Sequence, residues 1–453
     1  MRGERHSGQS ALFYAFDLER HVPADHLLRG IDQVIELESI RTYLKPYYSE
    51  TGRPSICPEL MIRMLLVGYC LGIRSERRLC EEVHLNLAYR WFCRLGLEGD
   101  VPHHSTFSKN RHGRFRESDV FRHVFDQVLR RCMAAGLVGG EAFAVDGSLI
   151  QADADRRKGP AGEAGLPADK TSRAIEEYLA VLDDAAFGGA SPKQPRYIST
   201  TDPASRWTSA HGGPAFYAYE INYLIDTEHA VIVDVEPTTA IRQAEYVAAK
   251  RMLARAEERH GLAPERLAAD TAYGSSEMLQ WLVEGQGIEP HIPVFDRGER
   301  NDGTFSRSDF VFDLEADEYT CPTGKKLKQF NRLFKIQRSG ITKDGNRRYR
   351  ASKKDCSVCP LKEQCCPRRK MRIVSRSIHE RARDRAREIA KTEAYVKSRR
   401  ERKKVEMLFA HLKRILRLGQ LRLRGPNGAR DEFTLAATAQ NLRRLAKLIP
   451  AAA

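Results

Sequence analysis

No stretch of this sequence is apolar for long enough to cross a bilayer. The longest such run, Met64 to Ile73, is about half of the roughly 20 residues that a membrane-spanning helix needs. The opening residues, Met1 to His6, lead into no apolar segment of the secretory type, so no signal peptide is expected. A disulfide framework is also missing. Ten Cys are scattered over 453 residues without a secretory context, and reduced thiols are the expectation. No internal repeat is apparent. A composition with 42% hydrophobic and 30% charged residues excludes collagen, coiled-coil rods and wholly disordered chains. Acidic residues fall short of basic ones: 60 Asp and Glu against 75 Lys and Arg leave a net charge of +15 and a pI near 9.4. The expectation is a soluble, cytoplasmic protein with no membrane partner. The basic excess makes nucleic acid the first partner to consider.

The length allows two or three domains. Residues 1–135 read as an all-α domain. Val22-Pro23 opens one helix toward Leu28, Pro58 opens a second, and Ser75 can cap a third. Further helices fit Asn86 to Leu95, Ser105 to Phe115 and Ser118 to Met133. Short helices, short connections and several Arg suggest a helix-turn-helix-like, DNA-binding module, although no recognition helix stands out. Residues 136–300 change texture. Ala142 to Asp146 reads as a buried strand ending in an acid. A Gly/Ala/Pro-rich stretch follows from Arg156 to Pro195, holding one helix over Lys170 to Asp184. Strands over Tyr217 to Ile225 and Ala230 to Val235 flank a hairpin turn at Asp226 to His229. A helix over Ala244 to His260, a strand over Arg266 to Asp270 and a helix from Ser275 to Val283 complete a mixed α/β sheet flanked by helices. Residues 301–383 are basic and turn-rich, and hold half the cysteines. Residues 384–453 return to helix, apart from a Gly/Pro turn at Gly425 to Gly428.

Asp146 and Asp270 each close an apolar strand. Taken singly, such an Asp is ordinarily a turn former. A carboxylate beside a buried strand is unfavourable unless paired, and a divalent cation is one partner that pairs it. The helix beginning near Tyr395 adds a third acid. At 100° per residue, Arg402, Glu406 and Lys413 share one narrow stripe. Val405, Leu408, Leu412, Ile415 and Leu416 form the neighbouring apolar stripe that would pack on the sheet. Three converging carboxylates can hold two Mg²⁺ ions about 3.5–4 Å apart, an arrangement suited to in-line phosphoryl displacement. Asp153 and Asp155 compete for the role of first acid. They sit in an Asp/Ala/Arg-rich run that reads as loop, so Asp146 is preferred.

With these residues the chain resembles the DDE transposases of bacterial insertion sequences. Arg402-x3-Glu406-x6-Lys413 matches the family signature Tyr-x2-Arg-x3-Glu-x6-Lys around the third acid, with Arg399 standing where the Tyr is usual and Tyr395 one turn earlier. Ala144 to Ser148 resembles the segment of the first acid, and Ala269 to Gly274 that of the second. Val22-Pro23, His26 to Arg29 and His104 to Ser108 resemble the family's helical N-terminal domain. The resemblance implies an RNase H-like core in which Asp146, Asp270 and Glu406 bind two Mg²⁺, with Mn²⁺ able to substitute. It implies hydrolysis that frees 3′-OH ends at terminal inverted repeats, then strand transfer of those ends into target DNA. A homodimer on double-stranded DNA, in a nucleoid-associated bacterial protein, is implied too. Two other readings stay open: a structure-selective nuclease on the same core, and a catalytically silent, transposase-derived DNA-binding regulator.

Arg402 and Lys413 would contact phosphates of the element ends. From Lys397 to Arg424 there are eleven Lys and Arg against Glu401 and Glu406, so Arg399, Lys403 and Lys404 join them as candidate DNA contacts. Arg206 and Trp207 are further candidates, Trp207 as a platform for an extruded base. Cys321, Cys356, Cys359 and Cys365 could make a tetrahedral structural Zn²⁺ site, with Cys366 as rival last ligand. Their segment has little apolar material, so metal would help it fold. Cys57, Cys70, Cys80, Cys93 and Cys132 lie in or beside helices and read as small buried apolar residues.

Overall fold

The computed structural model describes residues 16–51, 55–155, 159–162, 166, 171–188, 195–210, 212–296, 300, 302–329, 339–343 and 345–449. Residues 156–158, 163–165, 167–170 and 189–194 of the stretch expected as an insertion lie outside them, and the helix expected over Lys170 to Asp184 is found over Arg173–Ala180. The chain divides into two units, one holding Met1–Gly140, Asp146–Leu262 and Lys404–Ala453, the other Glu141–Val145 and Ala263–Lys403. No helix among the described residues is long and apolar enough to cross a membrane.

In the first unit the N-terminal segment is helical, over Leu27–Val34, Pro58–Leu71, Glu76–Leu85, Leu87–Phe92, His104–His112 and Val120–Ala134. Side chains satisfy the amides that helix starts leave orphaned. His26 Nδ1 accepts from Leu28 N–H at 3.2 Å, Ser75 Oγ from Arg78 N–H at 3.4 Å, and Asn86 Oδ1 from Ala88 N–H at 2.9 Å. Pro58 sits in the first turn of its helix, and Gly72, at φ +72°, ends it. A Cβ on Gly72 would lie 2.7 Å from the Ile415 carbonyl oxygen, so space and backbone angle both demand glycine.

The strands of this unit are β1 (Ala142–Gln151, from Asp146 onward), β2 (Arg206–Thr208), β3 (Phe216–Asp226) and β4 (Ile232–Thr239). β3 neighbours β1 and pairs antiparallel with β2 and β4. Two expectations change here. β1 does not end at Asp146 but runs five residues further, to Gln151. Its last amides and carbonyls are taken up: Gln151 N–H donates to the Gly419 carbonyl at 3.2 Å, and the Gln151 carbonyl accepts from Leu421 N–H at 2.8 Å. β4 likewise runs past Val235 to Thr239, carrying buried Asp234 and Glu236. Their charge is matched by distant arginines: Arg122 Nη1 lies 2.7 Å from Asp234, Arg255 Nε 2.6 Å from Asp234, and Arg251 Nη1 3.1 Å from Glu236.

The C-terminal helix starts at Gly425, with Pro426 in its first turn, so the expected Gly/Pro turn is a helix start. The Gly425–Leu448 helix is buried along most of its length and packs on β4 and on the helices Leu27–Val34, Pro58–Leu71 and Val120–Ala134. Asn441 fixes it to β4, donating to the Ile232 carbonyl and accepting from Ile232 N–H, both at 2.8 Å. Two acids are buried around its start. Asp202 accepts from Tyr219 O–H at 2.5 Å and from Gly425 N–H at 3.2 Å. Burial pushes its carboxyl up to about 7. Burial also raises Asp431 to about 7 against the pull of Arg111 and Arg116, with Arg116 Nη2 lying 3.6 Å away.

In the second unit, Ala142–Ala144 of β1 pair in parallel with β5 (Arg266–Ala268), and β5 pairs in parallel with β6 (Glu289–His291). A separate five-stranded antiparallel sheet holds β7 (Val311–Asp313), β8 (Glu318–Thr320), β9 (Lys326–Gln329), β10 (Asn346–Arg350) and β11 (Ile373–Ser377), in the order β11-β10-β9-β8-β7. This corrects the expectation that the Cys-rich segment has little apolar material of its own. Phe310, Tyr319, Leu327, Tyr349, Ala351, Val374, Cys365 and Cys366 form a buried cluster of their own. Its centre is aromatic: Phe312 and Tyr319 rings lie 4.8 Å apart and Tyr319 and Tyr349 rings 5.2 Å, with the Arg376 guanidinium 3.8 Å from Phe312.

Leu327 is fully buried in that cluster. Leu327→Ala should cost about 2–5 kcal/mol. The expected result is faster proteolysis between residues 301 and 383 in the presence of a chelator; an unchanged cleavage rate would count against an apolar core. For Asp431 the folded carboxyl titrates near 7 and the unfolded one in the ordinary aspartate range. Its contribution to stability is therefore full below that range and is lost as pH rises to about 7. Asp431→Asn cannot ionise, so its urea-unfolding free energy should gain on wild type by about 2–3 kcal/mol between pH 5 and pH 8. A pH-independent difference would contradict the burial argument.

Candidate functional site

Asp146 follows four buried residues of β1, Ala142 to Val145, and its Oδ1 accepts from Gly147 N–H at 2.9 Å. Gly147 lets β1 lie close to β3. A Cβ there would sit 2.8 Å from Glu220 Oε1 and 3.1 Å from Asn222 Oδ1. Side chains two apart on a strand share a face, so Ser148 projects on the same side as Asp146. Lys413 Nζ donates to Ser148 Oγ at 2.8 Å. Partial burial holds the Lys413 ammonium below the ordinary lysine value. Glu406 lies seven residues before Lys413 on the helix Glu393–Arg414, which is two turns and the same stripe. Ser148 is the residue that sequence reasoning passed over; the signal was its place two residues after the acid.

The apolar stripe beside Glu406 is real but shorter than expected. Val405, Leu412 and Leu416 are buried and Leu408 is half-buried, whereas Ile415 is 50% exposed. Phe409 adds to it by stacking on Tyr223 at 5.0 Å. In the preceding turns, Arg399 is exposed, Arg402 is half-buried, and both bear electrostatically on half-buried Tyr395, whose hydroxyl burial pushes up. Lys403 is exposed. Lys404 is engaged in structure, donating to the backbone carbonyls of Thr227 and Glu228 in the β3–β4 turn.

Asp270 lies two residues past the end of β5 and caps the 3₁₀ turn Thr271–Tyr273, its Oδ1 accepting from Ala272 N–H at 2.7 Å. Gly274 closes that turn where a Cβ would meet the Pro293 carbonyl oxygen at 2.0 Å. The register pairs Ala144 with Ala268. Asp146 and Asp270 therefore each stand two residues beyond one register pair of parallel strands.

Other candidates are placed differently. Arg206 is buried at 8% exposure, with Nη1 3.5 Å from the Pro203 carbonyl oxygen, so its guanidinium serves its own loop. Trp207 is half-buried and packs edge-on against Tyr197 and Tyr217, with ring centroids 6.1 and 5.0 Å away. Asp153 pairs with Arg424 at 2.9 Å, and Asp155 N–H donates to Thr201 Oγ1 at 3.0 Å. Cys321, Cys356, Cys359 and Cys365 line one pocket of about 30 Å³, and Cys366 is buried in the adjoining cluster. Cys321 Sγ accepts from Lys325 N–H at 3.3 Å. Burial, with Cys366 alongside, pushes the Cys365 thiol up to about 11. No group of three or more His, Cys, Asp or Glu among the described residues closes into a metal-holding cluster. Cys70, Cys93 and Cys132 are buried, and Cys57 and Cys80 half-buried.

Two family models match the chain. One is described as a Transposase domain (DUF772), over residues 16–113, the other as a Transposase DDE domain, over residues 320–446. The second match contains Glu406 and Lys413 and leaves Asp146 and Asp270 outside. No curated protein matches. Among solved structures, the cryo-EM structure of a piggyBac transposase synaptic complex with hairpin DNA aligns over 93% of this chain and 78% of its own. The identity is 11% and the TM-score 0.32, a likeness too loose to argue from.

Proposed function

Because the chain belongs to the insertion-sequence-type DDE transposases, we propose that it binds the terminal inverted repeats of its own element and cuts and rejoins DNA there through Asp146, Asp270 and Glu406. The observation that carries this reading is the strand register, with both aspartates two residues past the Ala144–Ala268 pair. The bond from Lys413 to Ser148 supports the third acid, since Glu406 shares the stripe of Lys413 and Asp146 the face of Ser148. The donor set fits divalent cations. All three groups are carboxylates, the hard oxygen ligands that Mg²⁺ prefers, and backbone N–H groups orient both aspartates. Asp146, Asp270 and Glu406 would hold the ions, and bound Mg²⁺ (or Mn²⁺) supplies Lewis-acid activation of the phosphodiester and of the attacking oxygen.

The chain's own residues do the rest. Lys413, tethered to Ser148, offers a cation to a phosphate beside the face that carries Asp146. Arg399, Arg402 and Lys403 extend that charge along the preceding turns and would follow the backbone of the element end. The fold assigned to this chemistry is RNase H-like, and two ends acting together call for a homodimer on DNA. Cys321, Cys356, Cys359 and Cys365 would hold a structural Zn²⁺, a role supported by their shared pocket and by the amide bond to Cys321 Sγ.

Asp270→Asn should abolish Mg²⁺-dependent nicking and joining of inverted-repeat DNA while end binding stays near wild type. Normal cutting by that variant would refute the assignment. Cutting of branched DNA without joining would favour a nuclease, and binding without any cutting a silent regulator. Elemental analysis of the full chain should find one Zn²⁺, lost in Cys359→Ser; no zinc in the wild type would remove the thiolate site.

A further inference from the structure

The second unit carries a cleft of about 530 Å³ that the functional reading leaves unused. Its walls come from Phe295, Asp296, Arg300 and Arg307, the β10 and β11 edge, and the helix Glu380–Ile389, and five arginines line it: Arg300, Arg307, Arg369, Arg372 and Arg383. They fall into two groups. Arg307 and Arg383 are neutralised in a tight network, with Arg307 Nη2 2.6 Å from Asp296, Arg383 Nη1 2.9 Å from Glu380, and Arg387 behind them 2.8 Å from Asp296. Arg300, Arg369 and Arg372 have no carboxylate partner among the described residues. Arg372 is 5% exposed, is held by the carbonyls of Cys365 and Phe305 at 3.0 and 2.7 Å, and leaves its buried Nε unbonded. Arg300 and Arg369 lie near enough to repel it. A buried guanidinium with an orphan N–H, crowded by two like charges, is unfavourable unless an anion completes it.

Two further features identify the anion. The cleft has several times the room that one phosphate fills, and residues 301–383 carry twenty-one Lys and Arg against ten Asp and Glu, a net of +11. At the rim stands Phe295, a cleft-lining aromatic that is 37% exposed. Arginines beside a partly exposed aromatic ring are the combination that grips single-stranded nucleic acid, charge on the backbone and ring on a base.

We propose that this cleft holds an unpaired stretch of DNA, its backbone phosphates on Arg300, Arg369 and Arg372 and one base on Phe295. The inference rests on the transposase reading only for the identity of the polymer as DNA. The test uses the full chain and a dT oligonucleotide titrated over a range of salt. Arg300→Ser with Arg369→Ser should weaken binding at least tenfold and lower the slope of log affinity against log salt by about 1.4, two phosphates at roughly 0.7 each. Lys353→Ser, an exposed cation outside the cleft, should change both far less. Phe295→Ala should weaken the oligonucleotide more than a duplex of the same length.

An unchanged affinity and slope in the double variant would overturn the cleft. So would loss of pyrophosphate binding alone, which would make it a site for free polyphosphate. Because no acid of the proposed triad lies in the cleft, the two readings fail separately. If Asp270→Asn still cuts while the double variant loses dT binding, the triad falls and the cleft stands. If Asp270→Asn stops cutting while the double variant binds normally, the reverse holds.

Discussion

Parallel pairing of Ala142–Ala144 with Arg266–Ala268 is the constraint on which the proposed chemistry depends. Side chains alternate along a strand, so a one-residue slip would turn one aspartate to the opposite face from the other. What holds the register is apolar. Phe143, Ala144, Leu267 and Ala268 are buried on both faces of the sheet, and a slip would exchange large for small side chains on each face, leaving a cavity on one and overpacking the other. Backbone bonds from Glu265 and Arg266 N–H to the Glu141 carbonyl, at 2.9 and 3.3 Å, close the start of the ladder. The acids thus inherit their placement from apolar residues that have no part in the chemistry.

The third acid is positioned by a different device. A helix has no register, and only its buried stripe and individual tethers fix its rotation. Val405, Leu412 and Leu416 supply the stripe, Phe409 on Tyr223 adds a stacked ring, and Gln440 donates from the C-terminal helix to the Leu408 carbonyl at 2.9 Å. Lys404 on the β3–β4 turn and Lys413 on Ser148, nine positions apart, tether the same helix at two points. Glu406 sits between those tethers. Those tethers set the helix face from which the exposed Glu406 projects.

Local signals were legible in the sequence and long-range compensation was not. The cap at Ser75, the helix starts at Asn86 and Ser275, the Asp226–His229 hairpin and the helix started by Pro58 all rest on neighbours a few residues away. The full length of β4 could not be read, because Asp234 and Glu236 look like the end of a strand until Arg122, Arg251 and Arg255 arrive from elsewhere. β1 looked finished at Asp146-Gly147 for the same reason: the partners of Gln151 lie beyond residue 418. Gly425-Pro426 reads as a turn or as a helix start, and burial against Pro58–Leu71 and β4 decides it. The sheet of residues 311–377 escaped because its core is a handful of aromatic residues spaced among charges, with no periodic run long enough to notice.

Charge followed the same rule. Along the sequence the basic run from Lys397 to Arg424 stands out, and it contains the phosphate-facing lysine of the proposed site. The arginines of the second-unit cleft come from residues 300 to 383 and never form a run. Charge density in sequence and in space are separate quantities, and only the second determines where a polyanion is held. Within the cleft, Asp296 and Glu380 cancel some of that charge and leave the rest. Were all five arginines unpaired, their mutual repulsion would strain the fold; were all paired, the cleft would attract nothing. Two acids beneath five lining arginines keep the floor stable while the rim stays cationic, a division that an apolar or fully neutralised groove would not need.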